Sequence, residues 1–252
     1  MLNKTDILVS MIPGSKYAKL ITYPVIDEVK VQERVKELVS IGVTSLRFTG
    51  NSLIDGIPVL GKGCVGLVTE AVMDDAPVAL KIRRQDADRP SMENEAKMLR
   101  LANSVGAGPR LIGVTRNLLI MELFDGIPLF RWIANSHSGT SIKGILSQLL
   151  HTCFKLDSVG LDHGELSHAP RNVLVNRKDR PCIVDFETAS TTRRTANVTS
   201  MLQYFLFGHV SREVRASKLF PKKHVILKTL SAYKADQSVG NFQNVLDALR
   251  IT

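Results

Sequence analysis

One stretch constrains the fold more than any other part of this 252-residue chain: IPVLGKGCVGLVTEAVMDDAPVALKIRR, from Ile57 to Arg84. Gly61, Gly63, Gly66 and Val68 in it spell G-x-G-x-x-G-x-V. A glycine cluster of this kind opens either into a helix, as in a Rossmann fingerprint, or into a second strand. Here the residues after Gly66 continue as a β-prone run to a turn at Asp74-Asp75, and a further strand follows. The order is strand, turn, strand. The glycines therefore sit at a hairpin tip, where the missing Cβ lets backbone N–H groups come close to an anion such as a phosphate.

The rest of the chain divides around this hairpin. Residues 1–55 read as an N-terminal extension. In it Asp27 caps a helix with Val31, Val35, Leu38 and Val39 on one face, stopped by Gly42. A strand over Thr44–Thr49 and a Gly50-Asn51 turn complete it, and the segment is short for a nucleic-acid-binding winged helix. Residues 56–123 are strand-rich. They include a helix from about Ser91 to Val105, closed by Gly106, and strands over Arg110–Thr115 and Leu118–Leu123. Residues 124–252 turn helical. Ile142, Ile145, Leu146, Leu149, Leu150 and Cys153 form one helix stripe ending near Gly160. Short strands fit Val173–Val175 and Cys182–Val184, and helices with a basic surface follow. A strand-rich part followed by a helix-rich part argues an α+β fold with two lobes.

Composition narrows the setting. Hydrophobic residues make up 44% and charged residues 23%, values ordinary for a soluble globular protein. No apolar run reaches the roughly 18 residues that a membrane span needs, and the short run Ile7–Ile12 behind Asp6 makes a poor signal peptide. Cys64, Cys153 and Cys182 lie far apart, so neither a zinc site nor a disulfide framework is indicated. Free thiols suit a cytoplasmic protein without membrane contact. The net charge is +9, and from Ser190 onward ten Lys or Arg face three acids. Arg212, Arg215, Lys218, Lys222, Lys223 and Lys228 form either a solvated face or a docking surface for RNA, an acidic protein or a phosphorylated substrate.

The chemistry-bearing residues follow the hairpin in order. Lys81 ends Val78-Ala79-Leu80-Lys81, fifteen residues past Gly66. A lone strand-end lysine is ordinarily surface decoration, but the place directly behind the glycine turn argues otherwise. Glu95 on the next helix is set to pair with it, with Glu93 as competitor. Met121-Glu122-Leu123 precedes Asp125-Gly126. Then come His163-Gly164-Glu165-Leu166, Asn172-Val173-Leu174-Val175 and Ile183-Val184-Asp185-Phe186-Glu187.

Five motifs in this order resemble the protein-kinase superfamily. The similarity lies in its small atypical branch, with the RIO kinases and the kinase of the tRNA threonylcarbamoylation complex, and above all in predicted archaeal serine/threonine kinases that share the ALKIRR and DFE segments. The resemblance covers about residues 57–190. It implies a strand-rich N-lobe over residues 56–123 and a short helical C-lobe over 124–252, binding ATP with Mg²⁺. Gly61, Gly63, Cys64, Gly66 and Val68 would line the phosphate loop, with Ala79 beside it. Lys81 and Glu95 would form the phosphate-anchoring ion pair, and Met121, Glu122 and Leu123 the hinge against adenine. Asn172 and Asp185 would hold the metal, and Glu165 would be the catalytic carboxylate. The reaction would be γ-phosphoryl transfer to a protein or small-molecule hydroxyl.

Two departures stand out. The pattern H-R-D-L-x-x-x-N has five steps from Asp to Asn; here Glu165 replaces the Asp and lies seven steps before Asn172, with Asp162 as a rival carboxylate. Five steps back from Asn172 stands Ser167, which cannot act as a base. Glu187 occupies the place of the DFG glycine, as in small-molecule phosphotransferases of the aminoglycoside type. The altered loop and the basic C-terminal part keep a nucleotide-gated RNA- or protein-binding module open as an alternative. His137, His151, His168, His209 and His224 lack metal-ligand spacing and read as structural or exposed, and Trp132 reads as a packing residue. Cys153 and Cys182 read as core. The hydroxyl-rich run Thr188–Ser200 beside Arg193 and Arg194 is a candidate for autophosphorylation.

Overall fold

The structure is a computed structural model, and it describes residues 5–135, 139–167, 172–208 and 223–251. It is an α+β protein of antiparallel sheets with eight α-helices among the described residues. The chain separates into two compact units. Residues 1–97 and 110–123 form the first, and residues 98–109 and 124–252 the second.

The first unit is built on a seven-stranded sheet. Its strands are β1 (Thr5–Leu8), β2 (Val43–Phe48), β5 (Gly61–Lys62), β6 (Gly66–Met73), β7 (Ala76–Arg83), β8 (Leu111–Val114) and β9 (Leu118–Glu122). The order is β1-β2-β6-β7-β9-β8, with β5 also on β6. The β6–β7 turn places Asp74 and Asp75 at φ +49° and +60°. Two left-handed residues make the tight turn whose twist suits a hairpin, and Asp tolerates that backbone better than most side chains. Strands β3 (Ser52–Ile54) and β4 (Ile57–Val59) form a separate hairpin that the sequence reading does not anticipate.

The N-terminal fifty residues supply part of this unit's core. Helix α1 (Ala18–Ile21) is short; α2 (Glu28–Ser40) is capped by Asp27, whose carboxylate accepts the Lys30 N–H at 3.1 Å. Ile7, Ile21, Val31, Leu38, Leu46 and Phe48 bury into one cluster with Leu67, Leu80, Ile82, Leu118 and Ile120. The expected helix face needs correction. Val39 is 62% exposed, whereas Arg34 is buried. Positions 31, 34 and 38 share a stripe on a 3.6-residue period, and the Arg34 guanidinium is kept inside by donating to the carbonyls of Ile21 and Arg83. Burial first, then the nearby Arg83 charge, lowers its pKa to about 10, so it stays cationic at neutral pH. One turn on, Glu37 accepts from the Thr115 hydroxyl, from the Asn117 N–H at 3.2 Å and from Asn117 Nδ2 at 2.5 Å, closing the β8–β9 turn.

In the second unit, β10 (Gly126–Pro128), β11 (Val173–Asn176) and β12 (Pro181–Ile183) form an antiparallel sheet. The helices are α4 (Leu129–Asn135), α5 (Gly139–Ser158), α6 (Asn197–Phe207), α7 (Lys223–Ala235) and α8 (Val239–Leu249). The stripe Ile142, Ile145, Leu146, Leu149, Leu150 and Cys153 on α5 is buried, and Cys182 is buried on β12. Phe154 stacks on Phe242 of α8, with ring centroids 4.3 Å apart. Half-buried Trp132 on α4 donates Nε1 to Asp179 at 3.0 Å. At the end of α5, buried Asp157 accepts from Asn197 N and Nδ2 at 2.9 and 2.8 Å, from Val198 N at 3.3 Å and from the Tyr233 hydroxyl at 2.9 Å. It thereby caps the start of α6 from a distance.

Two outcomes are expected from this packing. Leu38→Ala removes a fully buried side chain and should destabilise the first unit by about 2–5 kcal/mol, read as a lower midpoint in urea. Burial raises the Asp157 pKa despite its four donors. The folded state therefore holds this proton more tightly than the unfolded chain, and stability falls as pH rises from about 4 through the raised value. Unfolding measured at several pH values should show wild type losing stability relative to Asp157→Asn across that window.

Candidate active site

The first unit gathers one set of the residues singled out in the sequence. Gly61 and Lys62 of β5 pair with Val68 and Leu67 of β6, and the turn between them closes with the Gly63 N–H on the Gly66 carbonyl at 2.9 Å. Cys64 stands exposed at the tip. Gly66 sits in a tight place. A Cβ there would lie 3.0 Å from the Ile82 carbonyl oxygen and 3.0 Å from Lys81 Cγ, so its absence makes room for the lysine stem. Lys81 faces Val68 across β6–β7, and its Nζ meets Glu95 Oε1 at 2.9 Å, with both side chains almost wholly buried. Glu95 lies in the first turn of α3 (Glu93–Ser104), which begins where the Glu93 N–H meets Ser91 Oγ at 3.4 Å. Ala79 is buried and pairs with Met121 on β9, and Val78 pairs with Glu122. The Glu122 N–H donates to the Arg110 carbonyl at 2.9 Å, and Leu123 follows the end of the strand.

A brace on the glycine turn is not foreseen in the sequence. Arg84 donates Nη1 to the Gly63 carbonyl at 3.0 Å and its backbone N–H to Val65 at 2.8 Å. The Tyr23 ring lies under both flanking cations, 4.7 Å from Lys62 Nζ and 5.0 Å from the Arg84 guanidinium carbon. Its hydroxyl also accepts from Lys62 Nζ at 2.6 Å. Tyr23 and Lys62 are 39 residues apart, so no local pattern could have linked them.

The second unit gathers the other set. His163 is fully buried. Its Nε2 lies 3.1 Å from the Val184 carbonyl, and burial lowers its pKa, which favours the neutral ring. The ring packs against Phe186 with centroids 5.0 Å apart. Phe186 fills the space over Gly108, where a Cβ would come within 2.8 Å of Phe186 Cε2. Between them in sequence, Asp185 takes the left-handed backbone, φ +68°. Such a conformation on a residue other than glycine costs energy and is often found at functional positions. Asn172 is buried, and its backbone carbonyl accepts the Val184 N–H at 2.9 Å, which sets it level with the approach to Asp185. Its side-chain Nδ2 donates to Glu165 Oε2 at 3.1 Å.

Asp162, the rival to Glu165, is occupied. Its carboxylate accepts from Arg193 Nε at 2.5 Å and from the Ala196 N–H at 2.9 Å. Of the six residues between Glu165 and Asn172, 168–171 lie outside the described residues, as do His137 and His209. His151 packs edge-on against Phe242, and His224 is exposed. Of the basic cluster, Arg212, Arg215, Lys218 and Lys222 are outside the described residues, Lys223 opens α7, and Lys228 is exposed.

A family model described as RIO domain matches residues 72–203, just over half of the chain. The chain belongs to the RIO family. RIO proteins are atypical kinases that use ATP, and the family implies a kinase-like bilobal fold and binding of ATP with Mg²⁺. The match begins beyond the glycine turn, so the turn is read from its geometry. No curated protein matches the chain. No helix among the described residues is long and apolar enough to cross a membrane.

The donor chemistry of the second set fits the RIO cofactor. Asn172 and Asp185 offer hard oxygen ligands of the kind Mg²⁺ prefers, and the Asn172 Nδ2 bond to Glu165 leaves its Oδ1 as the acceptor end.

Gly108 tests the support under Asp185-Phe186. Gly108→Ala meets both a left-handed φ of +75° and the collision with Phe186, whereas Gly106→Ala meets a similar φ of +72° in open space. Thermal unfolding should show Gly106→Ala losing about 1 kcal/mol from backbone strain and Gly108→Ala losing clearly more.

Proposed function

We propose that this RIO protein transfers the γ-phosphoryl group of ATP to a hydroxyl, with serine or threonine of a protein as the first acceptor to test. The observation that carries this reading is the 3.1 Å hydrogen bond between Glu165 and Asn172. It keeps a carboxylate beside the metal-ligand candidate although seven steps separate the two residues. In this reading residues 56–123 hold the nucleotide, residues 124–252 carry the acceptor chemistry, and 1–55 is an added element.

Each residue then has a defined task. Lys81, kept charged and aimed by Glu95, draws the ATP phosphates electrostatically. The N–H groups of the Gly61–Gly66 turn add donors, and Val68, Ala79 and Met121 to Leu123 take the adenine side. Asn172 and Asp185 would hold Mg²⁺, which supplies charge neutralisation on the phosphate oxygens. Glu165 orients the acceptor hydroxyl. As the new O–P bond forms, the bond from the γ-phosphorus to the bridging oxygen breaks, ADP leaves with that electron pair, and the hydroxyl proton passes to Glu165. The transition state is loose, so orientation matters as much as deprotonation.

The deciding experiment incubates the protein with γ-labelled ATP and Mg²⁺, with and without cell extract. Label on protein supports the proposal. Label on small molecules redirects it to a metabolite kinase, and free phosphate alone redirects it to an ATPase. Glu165→Gln should cut turnover by roughly 10²–10⁴ with near-normal ATP binding, and Glu165→Asp should keep part of it. Lys81→Ala and Asp185→Ala should both abolish transfer. In titrations of ATP at varied Mg²⁺, only Asp185→Ala is expected to lose the metal dependence of binding.

A further inference from the structure

The segment after Asp185-Phe186-Glu187 does more than leave the site. Backbone hydrogen bonds run both ways between Asp162 and Ser190, each at 2.9 Å, and the Thr188 hydroxyl donates to the His163 carbonyl at 3.0 Å. Arg193 crosses this seam. Its Nε donates to Asp162 Oδ2 at 2.5 Å, and its Nη2 donates to the Thr188 carbonyl at 3.0 Å and reaches the Asp162 carbonyl at 3.4 Å. The second Asp162 oxygen accepts the Ala196 N–H, so the carboxylate is held from two sides.

Gly164 explains why the guanidinium fits. Its φ is +91°, and a Cβ there would collide with Arg193 Nη2. In the H-R-D pattern an arginine occupies the position of Gly164. Here that position is bare, and a guanidinium arrives from 29 residues downstream. One fork thus grips the loop that ends in Glu165 and the loop that begins at Asp185. A lysine could reach one of these acceptors but lacks the fixed geometry to span both.

We propose that Arg193 is a positioning residue for phosphoryl transfer, latching the 162–165 loop to the 185–190 loop so that Glu165 is held in line for reaction. This rests on the reading of Glu165 given above. The Arg193 fork contacts Asp162 and Thr188 of these two loops, so in this proposal its loss acts on turnover rather than on nucleotide binding. Misplacement of a reacting group by about 1 Å costs roughly 10²-fold.

The test compares Arg193→Gln, Arg193→Lys, Arg193→Ala, Asp162→Asn and Glu165→Gln in the full-length chain. Turnover is read from γ-labelled ATP, with the protein itself and myelin basic protein as acceptors. Mg-ATP affinity and thermal unfolding are measured in parallel. Arg193→Gln should slow turnover about 10- to 100-fold while ATP affinity changes little. Arg193→Lys should recover part of the rate. Arg193→Gln combined with Asp162→Asn should be no slower than Arg193→Gln alone, because both remove the same contact. Added methylguanidine should raise the rate of Arg193→Ala and not that of Glu165→Gln. The proposal is overturned if Arg193→Gln turns over like wild type while Glu165→Gln is slow, an outcome that leaves the Glu165 reading intact. Wild-type rates in both would remove the latch and the Glu165 role together. A loss of rate that tracks lost ATP affinity and lost folded protein, without methylguanidine rescue, would make Arg193 a structural residue only.

Discussion

The buried ion pair between Lys81 and Glu95 is the constraint on which the first unit is organised. An ammonium group in an apolar layer costs several kcal/mol unless an acid meets it at hydrogen-bond distance. Central strand β7 carries that ammonium with only 4% of its side chain exposed. Every neighbour is arranged around it. Gly66 gives up its side chain to admit the lysine stem, and the start of α3 brings Glu95 to 2.9 Å. The result is a cation held by its acid partner next to a glycine turn, an arrangement suited to a phosphate chain.

The second unit applies the same rule to neutral and acidic groups. His163, Asp157, Asp162 and Asn172 are all buried, and each makes a hydrogen bond that ties one segment to another. His163 ties its loop to Val184, Asp157 anchors the start of α6, and Asp162 takes the Arg193 fork. Buried polar groups without partners would cost about 1–3 kcal/mol each. Satisfying them therefore selects one loop arrangement, and the carboxylates of Glu165 and Asp185 inherit their places from it.

What could be read from the sequence shares a physical character. The β6–β7 hairpin, the lysine fifteen residues past Gly66 and the helix carrying Glu95 are consecutive elements, so short-range turn chemistry and periodicity decide them. The α5 stripe is legible for the same reason. The exposure of Val39 and the burial of Arg34 are not. Hydrophobicity alone puts valine inside and arginine outside, yet two carbonyls, Ile21 and Arg83, accept the guanidinium and reverse that preference. Tyr23 under Lys62 and Arg84 belongs to the same class, as does the Glu37 clasp on the β8–β9 turn.

The sequence by itself determined an α+β chain with a glycine hairpin, a strand lysine and an ordered set of Glu, Asn and Asp, because each feature is written within one or two neighbouring elements. Tertiary structure decided that the first fifty residues complete the sheet and core of the first unit, and that Asp162 is engaged by Arg193 while Glu165 meets Asn172. These outcomes depend on which carbonyls and carboxylates the folded chain brings within 3 Å of a donor. Hydrogen-bond satisfaction between segments tens of residues apart leaves no periodic trace in the sequence.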